Sequence, residues 1–156
     1  MAPRIKRAMR TGRCLARASV QEWRPKSISL AGMLAEPLAD GALGGSGNDF
    51  VLVQWVAEVG DHWIAPLHVH HEDDEAWYVL RGALGFRLGD EEIEAGPGSA
   101  VLARKGTPHT YKNAGDVEAE YLLIMPSRIW ELIEAIHRPD ADVPALFAAH
   151  ASALCG

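Results

Sequence analysis

Three histidines and one carboxylate set the chemistry open to this sequence. His68 and His70 stand one residue apart, Glu75 follows after a short acidic turn, and His109 lies farther along. On an extended strand, side chains two apart face the same way, so His68 and His70 project together. Glu75 opens the next segment, and an antiparallel return brings its carboxylate beside the two imidazoles, with Trp77 and Val79 following on the same face. His109 comes directly after Gly106-Thr107-Pro108, a turn that can aim it inward as a third imidazole. Imidazole nitrogens with a carboxylate oxygen suit a borderline first-row ion. Iron, manganese, nickel, cobalt, copper and zinc all fit such ligands, so the expected cofactor is one divalent transition metal of unassigned identity. Three His and one Glu leave one or two coordination positions for water, oxygen or substrate, the mark of a catalytic site.

The elements that must position these residues are short strands. Phe50–Val56 is rich in β-branched and aromatic residues and reads as a strand. Further strands are expected at Ala65–His70, Glu75–Leu80, Leu84–Leu88, Glu92–Ala95, Ser99–Ala103, His109–Lys112 and Ala119–Met125. Turn signals separate them, among them Arg81-Gly82, Gly89-Asp90 and Gly96-Pro97-Gly98. This texture indicates an all-β sandwich or barrel. Gly41, Gly44, Gly45 and Gly47 make Leu34–Asn48 a loop or wide turn. The end differs: Ile129, Leu132, Ile133 and Ile136 recur at helical spacing, which predicts a helix over Ser127–His137 capped by Ser127. Pro144–Leu154, rich in Ala and Leu, reads as a second short helix.

A chain of 156 residues fits one domain with an appended tail. The expected division is a basic, disordered tail at 1–26, a barrel at 27–126 and a helical segment at 127–156. Residues 1–26 hold eight of the fifteen Lys and Arg residues and a single acid, Glu22, leaving 7 basic against 20 acidic residues in the remainder. An acidic body gains little from phosphate neutralisation, so nucleic acid is not an expected partner. The basic stretch reads first as a disordered arm, or as sequence upstream of a later start such as Met33; a targeting presequence is a second reading and a nucleic-acid contact by this arm a third. No run of 18 apolar residues exists, so no membrane-spanning helix is expected. Cys14 and Cys155 sit near opposite ends and outside any CxxC pattern, which favours a reduced, cytoplasmic protein.

The chain resembles a cupin. The first motif of that superfamily is met by His68-x-His70, four residues, Glu75, six residues and Gly82. The second is met by Gly98, five residues, Arg104-x-Gly106, two residues, His109, three residues and Asn113. Two positions depart from the pattern: Gly60 lies seven residues before His68 rather than five, and Arg104 stands where the motif has proline. Both shape turns and neither supplies a ligand. The stretch Pro66–Leu80 further resembles small single-domain cupins similar to quercetin 2,3-dioxygenase. The resemblance implies a double-stranded β-helix, or jelly-roll barrel, of antiparallel strands with C-terminal helices, and metal ligands at His68, His70, Glu75 and His109. It also implies a homodimer, since pairing removes exposed sheet edges.

The implied activity is that of an oxidoreductase, a metal-dependent dioxygenase acting on a small enolisable or phenolic substrate, with Glu75 as both ligand and base. Metal-dependent isomerase or lyase chemistry is a second class, and a non-enzymatic small-molecule-binding module a third; the fold hosts all three. Trp77, Phe86, Tyr111 and Met125 are candidate pocket residues, with plain barrel core as the competing reading for each. His62 and Trp63 precede the ligand strand and are expected at the barrel mouth. His71 faces away from His70 as a solvated turn residue, and Glu72, Asp73 and Asp74 form a charged, solvated turn.

Overall fold

A computed structural model describes residue 38 and residues 42–155. The basic tail expected at 1–26 therefore lies outside the described residues. In chain order the elements are β1 (Ala42–Leu43), β2 (Val51–Ala57), β3 (His68–His70), β4 (Glu75–Arg81), β5 (Leu84–Leu88), β6 (Glu91–Ala95), β7 (Ala100–Ala103), β8 (His109–Asn113) and β9 (Ala119–Met125). They are followed by α1 (Ser127–Ile136), α2 (Val143–Ala149) and β10 (Ser152–Leu154). The strands form two antiparallel sheets, ordered β1-β2-β9-β4-β7 and β10-β3-β8-β5-β6. The all-β double-stranded β-helix expected from the sequence is the observed fold.

Alternation places the core. In β9, Ala119, Tyr121, Leu123 and Met125 are buried and the residues between them are only half-covered. β4 repeats the pattern, burying Glu75, Trp77 and Val79 while Tyr78 and Leu80 face out. Glu75 thus shares the inward face with two large apolar side chains, as period 2 demands. Between the sheets Trp77, Phe86 and Tyr111 pack at ring-centroid distances of 5.2–6.0 Å, an aromatic centre that fixes the sheet spacing.

Two motif residues act through backbone geometry. Gly82 has φ +72°, and a Cβ there would meet Ala119 Cα and Glu118 O at 2.7 Å, so only glycine fits the tight β4–β5 turn. Asn113 ends β8 by donating to the Ala57 and Val117 carbonyls at 2.9 and 2.8 Å and accepting from Gly115 N at 2.8 Å. Its place in the motif is that of a pin between strand ends.

The ends of the chain differ from the sequence reading. The expected loop 34–48 contains the short strand β1. The helix α1 begins at Ser127 but is capped by Pro126 with no side-chain cap bond. Pro144–Leu154 is not one helix: α2 stops at Ala149, and Ala151, with φ +51°, turns the chain into β10. That strand pairs antiparallel with β3 in the register Ser152–His70, Ala153–Val69, Leu154–His68. Alanine-rich composition favours helix, but the open edge of β3 captures the last residues. No helix among the described residues is long and apolar enough to cross a membrane.

The acidic turn is also more than solvated. Arg128 at the start of α1 donates from Nε and Nη2 to both oxygens of Asp73, at 2.7 and 3.0 Å, and from Nη1 to Glu72 at 2.6 Å. Asp74 accepts from Lys105 N at 2.8 Å. These partners lie 31–56 residues away in sequence, too far for local spacing to reveal. They tie the β3–β4 turn, which carries the candidate ligands, to the helix and to the β7–β8 loop.

Candidate metal centre

His68, His70, Glu75 and His109 meet at one point inside the barrel. Their nearest ligand atoms all lie within 4.8 Å of one another, and all four residues are buried. The backbone explains why. His68 and His70 flank Val69 on β3, and His109 on β8 stands directly across from His68. Glu75 opens β4 in the opposite sheet and looks across the barrel at them. Gly106, at φ +81°, lets the β7–β8 turn donate from its N–H to the His70 carbonyl at 2.7 Å, which brings His109 level with β3.

Each imidazole has its outer nitrogen committed. His68 Nδ1–H donates to the Pro66 carbonyl at 2.8 Å and His109 Nδ1–H to the Thr107 carbonyl at 2.8 Å. His70 Nδ1 bonds Ser152 Oγ at 2.7 Å, and that hydroxyl gives its own proton to the His150 carbonyl at 3.0 Å, so His70 must be the donor. All three rings therefore carry the proton on Nδ1 and turn an Nε2 lone pair inward, the tautomer that metal-binding histidines adopt when an outer acceptor holds the other nitrogen. The Nε2 of His70 is buried and has no hydrogen-bond partner. Glu75 Oε2 lies 3.0 Å from His109 Nε2 and 3.6 Å from His70 Nε2. Lone pairs facing a carboxylate at this spacing require a positive charge between them. The residues thus fit a divalent ion, for which His nitrogens and a carboxylate oxygen at about 2.0–2.2 Å are ordinary ligands.

The electrostatics agree. Burial alone would raise the Glu75 pKa, but in the metal-free cluster a proton on the inner edge of His109 or His70 stands in for the ion, and its hydrogen bond to Glu75 outweighs burial and holds the carboxyl at about 2. Burial, followed by the nearby His109, lowers the His68 pKa to about 4. At neutral pH the cluster offers an ionised carboxylate and a neutral His68 imidazole, the forms that bind metal.

His68, His70 and Glu75 form the floor of a cavity of about 340 Å³, and His109 lies against Glu75 beneath it. Its walls come from the barrel (Trp55, Tyr111, Tyr121, Leu123), from the loop before β3 (Ile64, Ala65, Pro66) and from the helices (Ile129, Leu132, Ile133, Ile136, Phe147). Phe147 packs edge-on against His68, with centroids 5.7 Å apart. Tyr111 and Tyr121 pair through their hydroxyls at 3.0 Å, and burial pushes both pKa values up, that of Tyr121 to about 12, so both hydroxyls stay protonated. His137 also lines the wall.

Of the candidate pocket residues, Tyr111 lines this cavity. Trp77, Phe86 and Met125 belong to the barrel core, and Met125 also borders a second, shallow hollow with Phe50 and Leu102. His62 and Trp63 are exposed in the loop before β3 and do not line the cavity; Trp63 lies under the Lys112 ammonium, 5.1 Å from the ring centre. His71 is exposed. The reading of the sequence missed Tyr121, Phe147 and Ser152. The alternation of β9 could have pointed Tyr121 inward; nothing local marks the other two.

Comparison with known proteins agrees with this geometry. Residues 55–125 match the family model described as Cupin domain, and the two-sheet barrel is a double-stranded β-helix. A curated relative, the uncharacterized protein MJ1618 of Methanocaldococcus jannaschii, is 30% identical over 71 residues, which are 46% of this chain and 55% of that protein. The chain thus spans about half the length of the curated relative it matches. Among solved structures, BH2720 from Bacillus halodurans superposes with a TM-score of 0.50 and 23% identity, covering 55% of this chain and 67% of that one. A putative sugar phosphate isomerase from Acidithiobacillus ferrooxidans gives a TM-score of 0.47 and 23% identity over 52% of each chain.

Proposed function

We propose that this protein is a metal-dependent dioxygenase acting on a small, uncharged, enolisable or phenolic compound. The observation that carries the reading is the contrast between floor and walls: two imidazoles and a carboxylate of the four-residue cluster open at the bottom of a cavity whose sides are almost wholly apolar. Such walls bind a flat or aliphatic body by excluding water from it. Among the described residues they hold no lysine or arginine, so none of these would take a phosphate group, which favours an uncharged substrate over a sugar phosphate.

His68, His70, Glu75 and His109 would hold the ion. A bound first-row ion would acidify a coordinated substrate oxygen and, if redox-active, activate dioxygen. Glu75 is ionised at neutral pH and accepts the substrate proton. The Tyr111–Tyr121 pair keeps one hydroxyl proton uncommitted between them, a donor for a second substrate oxygen. Ile129, Leu132 and Ile133 of α1 shield the reacting centre from water.

Oxygen consumption by iron-, manganese-, nickel- and cobalt-loaded protein with a panel of catechols, flavonols and β-diketones tests the proposal. At least one metal and substrate pair should consume oxygen in step with loss of the substrate. Substrate turnover without oxygen uptake would replace it with isomerase or lyase chemistry at the same site. Saturable ligand binding with no turnover under any metal would make the protein a binding module.

A further inference from the structure

Ser152 reaches the histidine cluster from the far end of the chain. Two of the three outer-nitrogen partners are carbonyls only two residues from their histidine, Pro66 for His68 and Thr107 for His109. These bonds form whenever the local turn forms. His70 alone depends on a side chain 82 residues away. The serine is 4% exposed, sits opposite His70 in the β3–β10 register, and is itself oriented by the His150 carbonyl. Bonds from His71 N to Ala151 O (2.8 Å) and from Cys155 N to Leu67 O (2.9 Å) fasten both ends of the strand. The same terminal segment supplies Phe147 against His68.

We infer that Ser152 is a positioning residue for His70, and that docking of β10 is thermodynamically coupled to metal binding. The inference rests on the metal reading above. Without the hydroxyl, the His70 ring loses the acceptor that keeps its proton on Nδ1. The ring is then free to place an N–H where the lone pair must point. Loss of such an outer partner typically weakens metal binding about 10–100-fold. Coupling is reciprocal: whatever affinity the docked strand gives the ion, the ion returns as stability of the docked strand.

Zinc binding by chelator competition on the full chain, with hydrogen exchange at the Cys155 amide, tests this. Ser152→Ala should bind zinc about 10–100-fold more weakly than wild type, and zinc should raise its melting temperature by less than it raises that of wild type. Leu154→Ala, changing a side chain that is 41% exposed on the same strand, should keep wild-type affinity. Zinc should slow exchange at the Cys155 amide of the wild-type protein. Equal zinc affinity in wild type and Ser152→Ala would overturn the role of the serine, as would an equal drop in melting temperature with and without zinc, which marks a merely structural residue. Cys155 exchange unmoved by zinc would overturn the coupling. Failure of wild type to bind zinc would strike the metal reading itself.

Discussion

His109 and Glu75 meet at 3.0 Å, Nε2 to Oε2, while the other nitrogen of the same ring is spent on the Thr107 carbonyl. The outer bond fixes the ring and the inner contact aims it. Among the described residues the polar side-chain contacts of Glu75 are with these histidines, so the four residues form one electrostatic unit in which charge on any member is felt by the rest.

Glu75→Gln separates the two roles of the carboxylate. The amide keeps the shape but removes the charge and the basicity. Metal content, measured by elemental analysis, should fall only in part, because three imidazoles remain. Turnover at equal metal loading should fall about 10²–10⁴-fold, the usual loss for a missing general base. Full activity at equal loading would show that Glu75 is no base.

Stability of the metal-free protein should depend on pH in a definite direction. His68 is depressed from 6.5 to about 4, and Glu75 from 4.5 to about 2. In both cases the unfolded chain takes up the proton at a higher pH than the folded one. The stability these groups contribute is therefore whole above pH 6.5 and is lost as pH falls, through His68 between 6.5 and 4 and through Glu75 between 4.5 and 2. Melting temperatures of chelator-treated protein should drop steadily from pH 7 to pH 4. A flat profile there would show that His68 is not buried in its neutral form.

Much of the site was legible because its logic is local. The His68-x-His70 spacing, the hairpin return to Glu75 and the turn before His109 are all period-2 arguments, and the burial pattern of β4 follows them residue by residue. The strands β5 and β9 fall on their expected bounds. What was illegible is what distant segments supply. Arg128 meets Glu72 and Asp73 across more than fifty residues, and β10 forms because β3 has an open edge, against the helical preference of its neighbourhood. Trp77 illustrates a subtler limit: its inward face was evident, but alternation cannot tell a cavity wall from the core behind it.

Two substitutions draw that line. Trp77 is 1% exposed between Phe86 and Tyr111, so Trp77→Ala should cost about 3–5 kcal/mol in chemical denaturation. Ile133→Trp adds bulk to the cavity wall from a half-buried helix position. It should leave stability and metal content near wild type while raising KM at least tenfold for any substrate found. Unchanged KM would place substrate outside this cavity.

The central claim is that His68, His70, Glu75 and His109 bind one metal ion, and cobalt(II) titration of metal-free protein tests it most directly. Visible absorption should develop with a single saturable end point at one ion per chain. The same titration of His109→Ala, its fold checked by circular dichroism, should show affinity reduced by orders of magnitude. No saturable binding by wild type, or an unchanged end point and affinity in His109→Ala, would contradict the account.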